Sequence, residues 1–378
     1  MTPSDNIVYN SRAWTVLSRS FQQGRAANTY LLFGPDGTGR WLLAVSYAAL
    51  INCESIERFG DDGGHAVPCG KCRNCRNIFG LRFEGIHVAA PIPPHENKLD
   101  NAIDFTNEFL DTKRAEPFSI PGSAASTNIP VALARDIRKR LSLKSTEGVR
   151  RVVIFYQMEK MLAASADALL KIIEEPPSDT TIMLITRNPD TLLPTIQSRA
   201  QRIKVDLYPP DTIEKYLIEK YDLSERRAKL LARISEGSIG RAVDAIESPD
   251  EDEISKRGVA FLIFKSLFVD ARADTLAHMN EVLNFRDRGE AEEILRLWQL
   301  LIRDCASVAI TDDDKDIVNV DFAPEIKKLS GYFGNPHLPA CMVEDIKNAL
   351  ADMRLNVHIQ GALMALVLRL KTHIAAPN

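Results

Sequence analysis

A short apolar run that ends in a glycine-rich loop and continues as a helix constrains the fold of this chain more than any other feature. Residues 29–33 are Thr-Tyr-Leu-Leu-Phe, and residues 34–39 are Gly-Pro-Asp-Gly-Thr-Gly. Leucine, valine and alanine then recur at the spacing of a buried helix. A strand that turns through glycines into a helix is typical of α/β proteins that bind nucleotides, because backbone N–H groups and the helix N-terminus face an anion at that turn.

Two later apolar runs, at residues 152–155 and 181–185, indicate further strands of the sheet. Neither run alternates between apolar and polar residues, which is typical of strands buried on both faces of a parallel sheet. Residues 164–175 between them predict a helix that Pro176 ends. Residues 91–130 contain six prolines and one glycine, and we expect an insertion or a mobile loop there.

Helical periodicity dominates the rest of the chain. Three short helices are predicted at residues 211–221, 224–235 and 238–247, followed by a charged linker at residues 248–253. Apolar stripes at helical spacing continue beyond residue 254. We therefore predict three parts, which are an α/β core over residues 1–207, a three-helix lid over 208–248 and an all-helical domain over 254–378.

Composition excludes several classes of protein. The 378 residues include 47 Lys and Arg against 51 Asp and Glu, and 45% are hydrophobic, which argues against a disordered chain and against a basic protein that coats nucleic acid. The longest uncharged stretch, residues 117–134, carries three prolines and is not a membrane span. Residues 1–5 lack the pattern of a secretory signal, and we expect a cytoplasmic protein with no membrane partner.

The glycine loop has the shape of a phosphate-binding loop without its chemistry. A working loop continues with lysine, which contacts the β- and γ-phosphates, and with serine or threonine, which holds Mg²⁺. Arg40 and Trp41 stand there instead, and Tyr156 and Gln157 replace the acidic pair that would follow a later strand. We expect no ATP hydrolysis, while passive binding of nucleotide by the loop backbone stays open. The degenerate loop, which we expect to be empty, comprises Gly34, Gly37, Gly39 and Arg40.

Four cysteines form the second informative motif. Cys53 precedes a run in which Cys69, Cys72 and Cys75 are each separated by two residues. Four thiolates can wrap a tetrahedral ion and select Zn²⁺, and a site with all four positions filled is structural rather than catalytic. A redox pair or buried thiols are the alternatives. His65 lies in the same loop and could replace one ligand, although we expect it to be a solvated loop residue.

Several motifs together resemble those of a known family. Residues 51–54 are Ile-Asn-Cys-Glu and lead into the cysteine cluster, residues 168–177 are ALLKIIEEPP, and residues 193–200 are LPTIQSRA. With the glycine loop, these motifs resemble the bacterial DNA polymerase III clamp-loader subunits, which are AAA+ proteins. The resemblance implies an α/β AAA+ fold, in which a parallel sheet with flanking helices carries an inserted zinc module. A three-helix lid and a C-terminal all-helical collar domain would follow.

The degenerate positions indicate which members of this family the chain is most similar to. The family includes ATP-hydrolysing γ/τ subunits and non-hydrolysing δ′ subunits, and the missing lysine and carboxylates favour the δ′ type. Motor subunits also carry a nucleotide-sensing arginine where this chain has Gly240, with Arg241 one position late. The alternative is a divergent γ/τ-like ATPase that uses Arg40.

The resemblance also implies a role for the element Ser198-Arg199. In the family this element lies at a subunit boundary, and its arginine reaches the neighbour's ATP site as a trans arginine finger. A surface arginine with a solvated partner is the alternative. Ala200 stands where the family usually has cysteine.

The partners follow from the same resemblance. It implies a stator or scaffold that forms a hetero-oligomer with γ/τ- and δ-type subunits and meets the sliding clamp and primed DNA through that complex. A third interpretation is an inactive AAA+ protein whose zinc module binds DNA. The residues that would support such binding are Lys71, Arg73, Arg76 and Arg82.

Overall fold

The structure of the protein is a computed structural model that describes residues 7–9, 11–59, 64–93, 99–120, 127–142, 148–161, 170, 172–174, 176–177, 179–247, 250–268, 288–311, 317–354 and 358–375. The chain forms two compact units, residues 1–244 and residues 245–378. Across the described residues, no helix is both long enough and apolar enough to cross a bilayer. The predicted boundaries at residues 207, 248 and 254 stay predictions.

A parallel sheet organises the first unit. The strands of this unit are β1 (Thr29–Phe33), β2 (Glu57–Phe59), β3 (His65–Val67), β4 (Ile86–Ala89), β5 (Arg151–Phe155), β6 (Thr180–Thr186) and β7 (Gln201–Lys204). Five of them pair in the order β4-β5-β6-β1-β7, and β2 and β3 form a separate antiparallel pair. Every residue of β5 and β6 is buried, which confirms the predicted sheet and explains why these two runs do not alternate.

Helices flank the sheet and complete its core. They are α1 (Arg12–Gln22), α2 (Arg40–Ile51), α3 (Arg73–Phe79), α4 (Leu99–Ala115), α5 (Val131–Ser142) and α6 (Pro194–Arg199). In the register of the sheet, Leu184 of β6 lies opposite Leu31 of β1 and Phe155 of β5. These three side chains pack with Leu133 and Ile137 of α5 in one apolar cluster. Helix α2 is apolar around most of its circumference, and all but its last residue are buried.

The three predicted short helices follow β7. They are α7 (Pro210–Tyr221), α8 (Glu225–Ile234) and α9 (Ile239–Glu247), and their bounds agree with the predicted ones to within one or two residues. Ile213 and Leu217 of α7 and Leu231 of α8 are buried. The apolar spacing that predicted these helices is therefore the spacing of the face they bury.

Two predictions about irregular segments need correction. The sequence predicts an insertion or a mobile loop at residues 91–130, but residues 99–115 form helix α4 and are not an irregular loop, while the insertion stays a prediction. Residues 248–253 were expected to be a linker, but a helix begins at Asp250. The predicted helix at residues 164–175 lies mostly outside the described residues, and its described part, residues 170 and 172–174, is helical.

The elements of regular structure in the described part of the second unit are all helices, as predicted. Its helices are α10 (Asp250–Ser266), α11 (Arg288–Thr311), α12 (Ala323–Leu329), α13 (His337–Arg354) and α14 (Ile359–Ala375). Trp298, fully buried at its centre, donates from Nε1 to the Ala260 carbonyl at 2.9 Å. The buried Asp304 carboxylate accepts backbone N–H groups of Val318 at 3.1 Å and Asn319 at 2.9 Å. Both buried polar groups are thus satisfied.

Candidate functional site

The glycine loop connects β1 to α2 through glycines with positive φ. Gly37 and Gly39 have φ of 69° and 81°, a left-handed conformation that glycine adopts without strain. Gly39 is the N-cap of α2, and no side chain caps the helix there. The predicted residues Gly34, Gly37, Gly39 and Arg40 therefore lie together at the turn.

Arg40 directs its guanidinium to protein groups. The residue is only 4% exposed, and its Nη1 donates to the Thr186 carbonyl at the end of β6. Its Nη2 donates to the Asp36 carboxylate within the glycine loop, and Arg187 forms a second ion pair with Asp36 at 3.1 Å. The cation at the position of the missing lysine thus neutralises an internal carboxylate.

Aromatic rings occupy the positions where a metal-binding hydroxyl and a carboxylate are missing. Trp41 and Tyr156 are 3% and 5% exposed, and their ring centroids lie 6.2 Å apart. Phe109 of α4 contacts both, with centroids 5.2 Å from Trp41 and 4.9 Å from Tyr156. Burial raises the pKa of Tyr156, so its hydroxyl stays protonated at neutral pH. No group of this cluster can coordinate Mg²⁺ or act as a base.

Lys113 of α4 lies beside this aromatic cluster. It is 3% exposed, and its Nζ is 5.1 Å from the Tyr156 centroid and 5.8 Å from the Phe109 centroid. The ammonium donates to the Ser119 carbonyl. Burial, assisted by the nearby Arg40 guanidinium, lowers the pKa of Lys113 to about 7.

Residues 116–120, here called the covering segment, lie against the glycine loop. Phe118 is 1% exposed, and a Cβ placed on Gly39 would lie 2.7 Å from its Cε1 atom. The same ring packs on Tyr216 of α7, with centroids 5.4 Å apart. Side chains from two elements far apart in the sequence therefore meet over the N-terminus of α2.

The start of α9 closes the loop from another side. The Gly240 N–H donates to the Gly37 carbonyl at 3.0 Å, and Ser238 Oγ donates to the Asp36 carbonyl at 2.8 Å. A Cβ on Gly240 would lie 2.6 Å from the Gly37 Cα, so an arginine does not fit there. Arg241 instead pairs with Glu236 at 3.2 Å. Packing thus explains the glycine found where an arginine was expected.

The residues that fill the loop's surroundings were not identified from the sequence. None of the motifs includes Lys113, Glu116 or Phe118. The partners of Glu116 and Phe118 are more than 70 residues away in the sequence, and Lys113 reaches Ser119 across an irregular turn. The only available signal was the helical spacing of apolar residues in α4, which the flanking prolines obscured. The sequence shows that the glycine loop lacks the usual lysine and hydroxyl. It does not identify the side chains that lie against the loop.

Arg199 lies apart from the loop, as the last residue of α6. Its guanidinium is 42% exposed and forms an ion pair with Glu174, Nη2 to Oε1, at 3.2 Å. Nη1 donates to the Thr195 carbonyl at 3.0 Å. Neither contact buries the cation, so the guanidinium lies at the surface.

The four predicted cysteine ligands converge in space. One sulfur from each of Cys53, Cys69, Cys72 and Cys75 lies within 4.8 Å of all the others. Cys75 Sγ is 3.6 Å from Cys53 Sγ and 4.0 Å from Cys69 Sγ. Tetrahedral Zn²⁺ with Zn–S bonds of about 2.3 Å needs sulfurs about 3.8 Å apart. The donor set therefore fits a zinc ion in both chemistry and spacing.

Backbone amides around this cluster stabilise thiolates. The N–H groups of Cys69, Cys72 and Cys75 donate to the sulfurs of Cys53, Cys69 and Cys72 at 3.3, 3.3 and 3.4 Å. Burial raises the pKa of Cys72, but hydrogen bonds from backbone and neighbouring thiols outweigh it and bring that pKa to about 7. Burial also raises the pKa of Cys53 and of Cys75. A bound cation would reverse this penalty, because it favours the deprotonated ligand.

Other residues near the cysteine cluster have their own partners. His65 Nε2 lies 3.3 Å from Thr15 Oγ1, and His65 is not among the four grouped ligands. Asn74 Nδ2 donates to the Asn52 carbonyl at 2.9 Å, which holds α3 to the end of α2. Lys71 pairs with Glu57 at 2.8 Å on the surface.

Comparison with known proteins gives one family and several relatives. The sequence model of the family described as "DNA polymerase III, delta subunit" matches residues 9–208. DNA polymerase III subunit delta' of Bacillus subtilis is 26% identical over 362 residues, which cover 95% of each chain. The subunit delta' of Pseudomonas aeruginosa is 32% identical, over 47% of this chain and 43% of that one. Subunit tau of Escherichia coli is 27% identical, over 68% of this chain and 35% of tau.

Among solved structures, a DNA polymerase III gamma subunit-related protein of Thermotoga maritima aligns over 96% of this chain and 99% of its own. The TM-score is 0.43 and the sequence identity is 16%.

Proposed function

Because the chain belongs to the DNA polymerase III delta-subunit family of AAA+ clamp loaders and is delta'-like, we propose that it is a non-hydrolysing δ′-type subunit of a clamp loader. It would act as a stator in a hetero-oligomer with γ/τ- and δ-type subunits. The complex would load a sliding clamp onto primed DNA. The relatives supporting this assignment include delta', tau and gamma/tau subunits.

The protein groups that pack against the glycine loop support the non-hydrolysing part of the proposal. Arg40 binds Thr186 and Asp36, Phe118 lies on Gly39, and the Gly240 backbone lies on Gly37. A triphosphate would have to displace these groups before it met the loop N–H groups. It would then find neither a lysine nor a magnesium ligand, so the chain has no means to drive phosphoryl transfer.

Purified chain assayed for ATP turnover, with and without primed DNA, tests this part. We expect no turnover above a blank preparation. Turnover that Arg40→Ala abolishes would instead support a divergent γ/τ-like ATPase and would overturn the proposal.

Arg199 supports the second part, in which the chain completes the ATP site of a neighbouring subunit. A guanidinium fork that binds two phosphate oxygens stabilises the charge of the transferring phosphoryl group, and this contribution is worth about 10³ to 10⁵ in rate. In this proposal the chain's own glycine loop hydrolyses no ATP that such a group could serve in cis. The surface position of Arg199 at the end of α6 suits a role at the ATP site of a neighbouring subunit.

Reconstitution with γ/τ- and δ-type subunits tests Arg199. Arg199→Ala should abolish the DNA-stimulated ATP hydrolysis of the one site it serves, while size-exclusion chromatography shows an intact complex. Arg199→Lys should restore little, because an ammonium cannot form the two parallel hydrogen bonds.

Arg138→Ala is the matched control, since Arg138 is an exposed arginine of α5, which packs beside β4 at the opposite edge of the sheet from β7. It should leave hydrolysis unchanged. An assembled Arg199→Ala complex with the turnover of the unsubstituted complex would overturn the arginine-finger role.

The cysteine cluster supports a structural zinc ion as a further part of the proposal. Cys53, Cys69, Cys72 and Cys75 would hold it, and zinc would supply only a crosslink, because four thiolates leave no position for water. Metal analysis of protein purified without added zinc should give one zinc per chain. Four thiols that react freely with a thiol reagent, in protein without stoichiometric metal, would overturn this part.

A further inference from the structure

The covering segment contacts the glycine loop and the lid helices at once. We propose that it acts as a built-in substitute for a nucleotide: residues 116–120 hold helices α7 to α9 against the core in one position that no bound ligand controls. This inference rests on the proposed non-hydrolysing role and extends it, because it states what the filled site does mechanically.

On the core side, the segment contacts the loop through Phe118. The ring lies against Gly39, where a Cβ would lie 2.7 Å from its Cε1 atom and 3.4 Å from its Cζ atom. Lys113, one turn before the segment, anchors it from below by donating to the Ser119 carbonyl and, at 3.5 Å, to the Pro117 carbonyl. The segment is therefore fixed to the same backbone that would otherwise hold phosphates.

On the lid side, Glu116 makes the main polar contacts. Its carboxylate accepts from Lys220 Nζ at 3.0 Å and from the Tyr221 hydroxyl, both at the end of α7. The side chains of Lys220 and Glu116 are 15% and 14% exposed, so water screens this ion pair little. The carboxylate also accepts the Phe118 N–H at 3.2 Å, which ties the ion pair to the ring that covers the loop.

A second lid helix meets the segment through its backbone. A Cβ placed on Gly240 would clash with the Phe118 carbonyl oxygen and would lie 3.0 Å from Ile120 Cγ1. At the same point the Gly240 N–H donates to Gly37. Loop, segment and lid therefore meet at one place, where the segment adds its contacts to the direct hydrogen bonds between lid and loop.

The Gly240 amide provides a direct measurement of this arrangement. Its hydrogen bond to the Gly37 carbonyl joins the lid to the loop, so the exchange rate of its N–H reports how often the two separate. Hydrogen exchange of the full-length chain, resolved at Gly240, is compared with and without millimolar MgATP. We expect the exchange rate of the unsubstituted protein to be the same in both conditions.

Two variants test whether the segment is the cause. Phe118→Ala should speed Gly240 exchange by at least about tenfold, since it removes a buried ring. Glu116→Gln, which keeps the shape of the side chain, should speed it by at least about threefold, since it weakens charge-assisted hydrogen bonds. If Phe118→Ala does not fold, Glu116→Gln decides the test alone.

Glu108→Gln is the matched control, because Glu108 is an exposed glutamate of the neighbouring helix α4. It should leave Gly240 exchange unchanged. Exchange in Glu116→Gln equal to that of the unsubstituted protein, or a change in Gly240 exchange on adding MgATP to the unsubstituted protein, would overturn the inference. The proposed function fails separately, through ATP turnover by the chain or through an inert Arg199 in the complex.

Discussion

Lys113 is an unusual residue for the interior of a protein, because a buried ammonium loses its hydration. The structure compensates in part with the Ser119 and Pro117 carbonyls and the faces of two aromatic rings. The compensation is incomplete, since the pKa of Lys113 falls from 10.5 to about 7. The charge of this one residue is therefore coupled to folding.

The first prediction concerns the pH dependence of stability. The folded chain releases the Lys113 proton near pH 7 and the unfolded chain near 10.5, so the unfolded state binds more protons between these values. Lys113 should therefore make the free energy of unfolding rise with pH above 7, by at most about 1.4 kcal/mol per pH unit. Lys113→Met should remove this contribution in urea unfolding at pH 7, 8 and 9.

The exposed lysine of α5, Lys139, serves as the control for this experiment. Lys139→Met should keep the pH dependence of the unsubstituted protein. If Lys113→Met shows the same pH dependence as well, the Lys113 ammonium is not the group that titrates.

Glu174 gives a second prediction at this scale. Its ion pair with Arg199 joins two side chains that are 44% and 42% exposed. Such pairs contribute about 0.2 to 1 kcal/mol, so Glu174→Gln should change hydrolysis at the neighbouring site by less than about fivefold. Arg199→Ala should change it by about 10³ or more. ATP turnover of the reconstituted complex compares them, and equal losses would mean that Glu174 itself takes part in the chemistry.

At the scale of elements, the sequence predicts the strands and helices whose apolar spacing is regular over a short stretch of the chain. The strands β5 and β6 and the helices α7 to α9 follow from apolar spacing within a dozen residues, and the cysteine cluster follows from its two-residue gaps. Helix α4 was missed, although Ala102, Thr106 and Lys113 are all buried on one face. A threonine and a lysine stand at two of those positions, so the face did not look apolar.

The covering segment could not be predicted from any pattern of this kind. The contact of Glu116 with Lys220 spans 104 residues, and that of Phe118 with Gly39 spans helices α2 to α4, strands β2 to β4 and the cysteine cluster. Nothing in the spacing of either pair encodes these contacts. The sequence could indicate that the loop had lost its ligand chemistry, but only the tertiary structure identifies the groups that fill its surroundings.

The third prediction concerns the element that carries the cysteines. Cys72 is the N-cap of α3. Its sulfur lies within 4.8 Å of the sulfurs of Cys53, which precedes β2, and Cys69, which follows β3. Cys72→Ser should prevent binding of the proposed zinc ion and speed amide exchange across residues 64–79, while the central sheet keeps its protection. Cys341→Ser, at an exposed cysteine of α13, is the control and should change neither. Unaltered exchange in Cys72→Ser would mean that packing alone holds the module.

At the scale of the whole molecule, the near balance of charge suits the proposed role. A net charge of −4 provides little long-range attraction to DNA, whose binding depends on phosphate neutralisation. In the proposed complex, DNA would be contacted by several subunits together. The similarity to the Bacillus subtilis delta' subunit extends over 95% of both chains.

A fourth prediction tests whether the motif alone controls nucleotide binding. The double variant Arg40→Lys and Trp41→Thr restores the residue types that a phosphate-binding loop needs. Calorimetry with millimolar MgATP should still detect no binding, because Phe118 and the Gly240 backbone remain against the loop. Circular dichroism checks that the variant is folded. Binding by the double variant would mean that the chemistry of the two residues, not packing, excludes ATP.

The contacts at Gly37 and Gly39 would make the proposed loss of ATPase chemistry difficult to reverse. Once a ring and a helix start lie where phosphates would lie, the two glycines serve close packing, and a larger residue there would disrupt the fold whether or not a nucleotide ever binds. A return to catalysis would require simultaneous changes in the loop, the covering segment and the lid. Each change alone would cost stability before it restored any activity, so close packing would keep both glycines in place even in a subunit that hydrolyses no ATP.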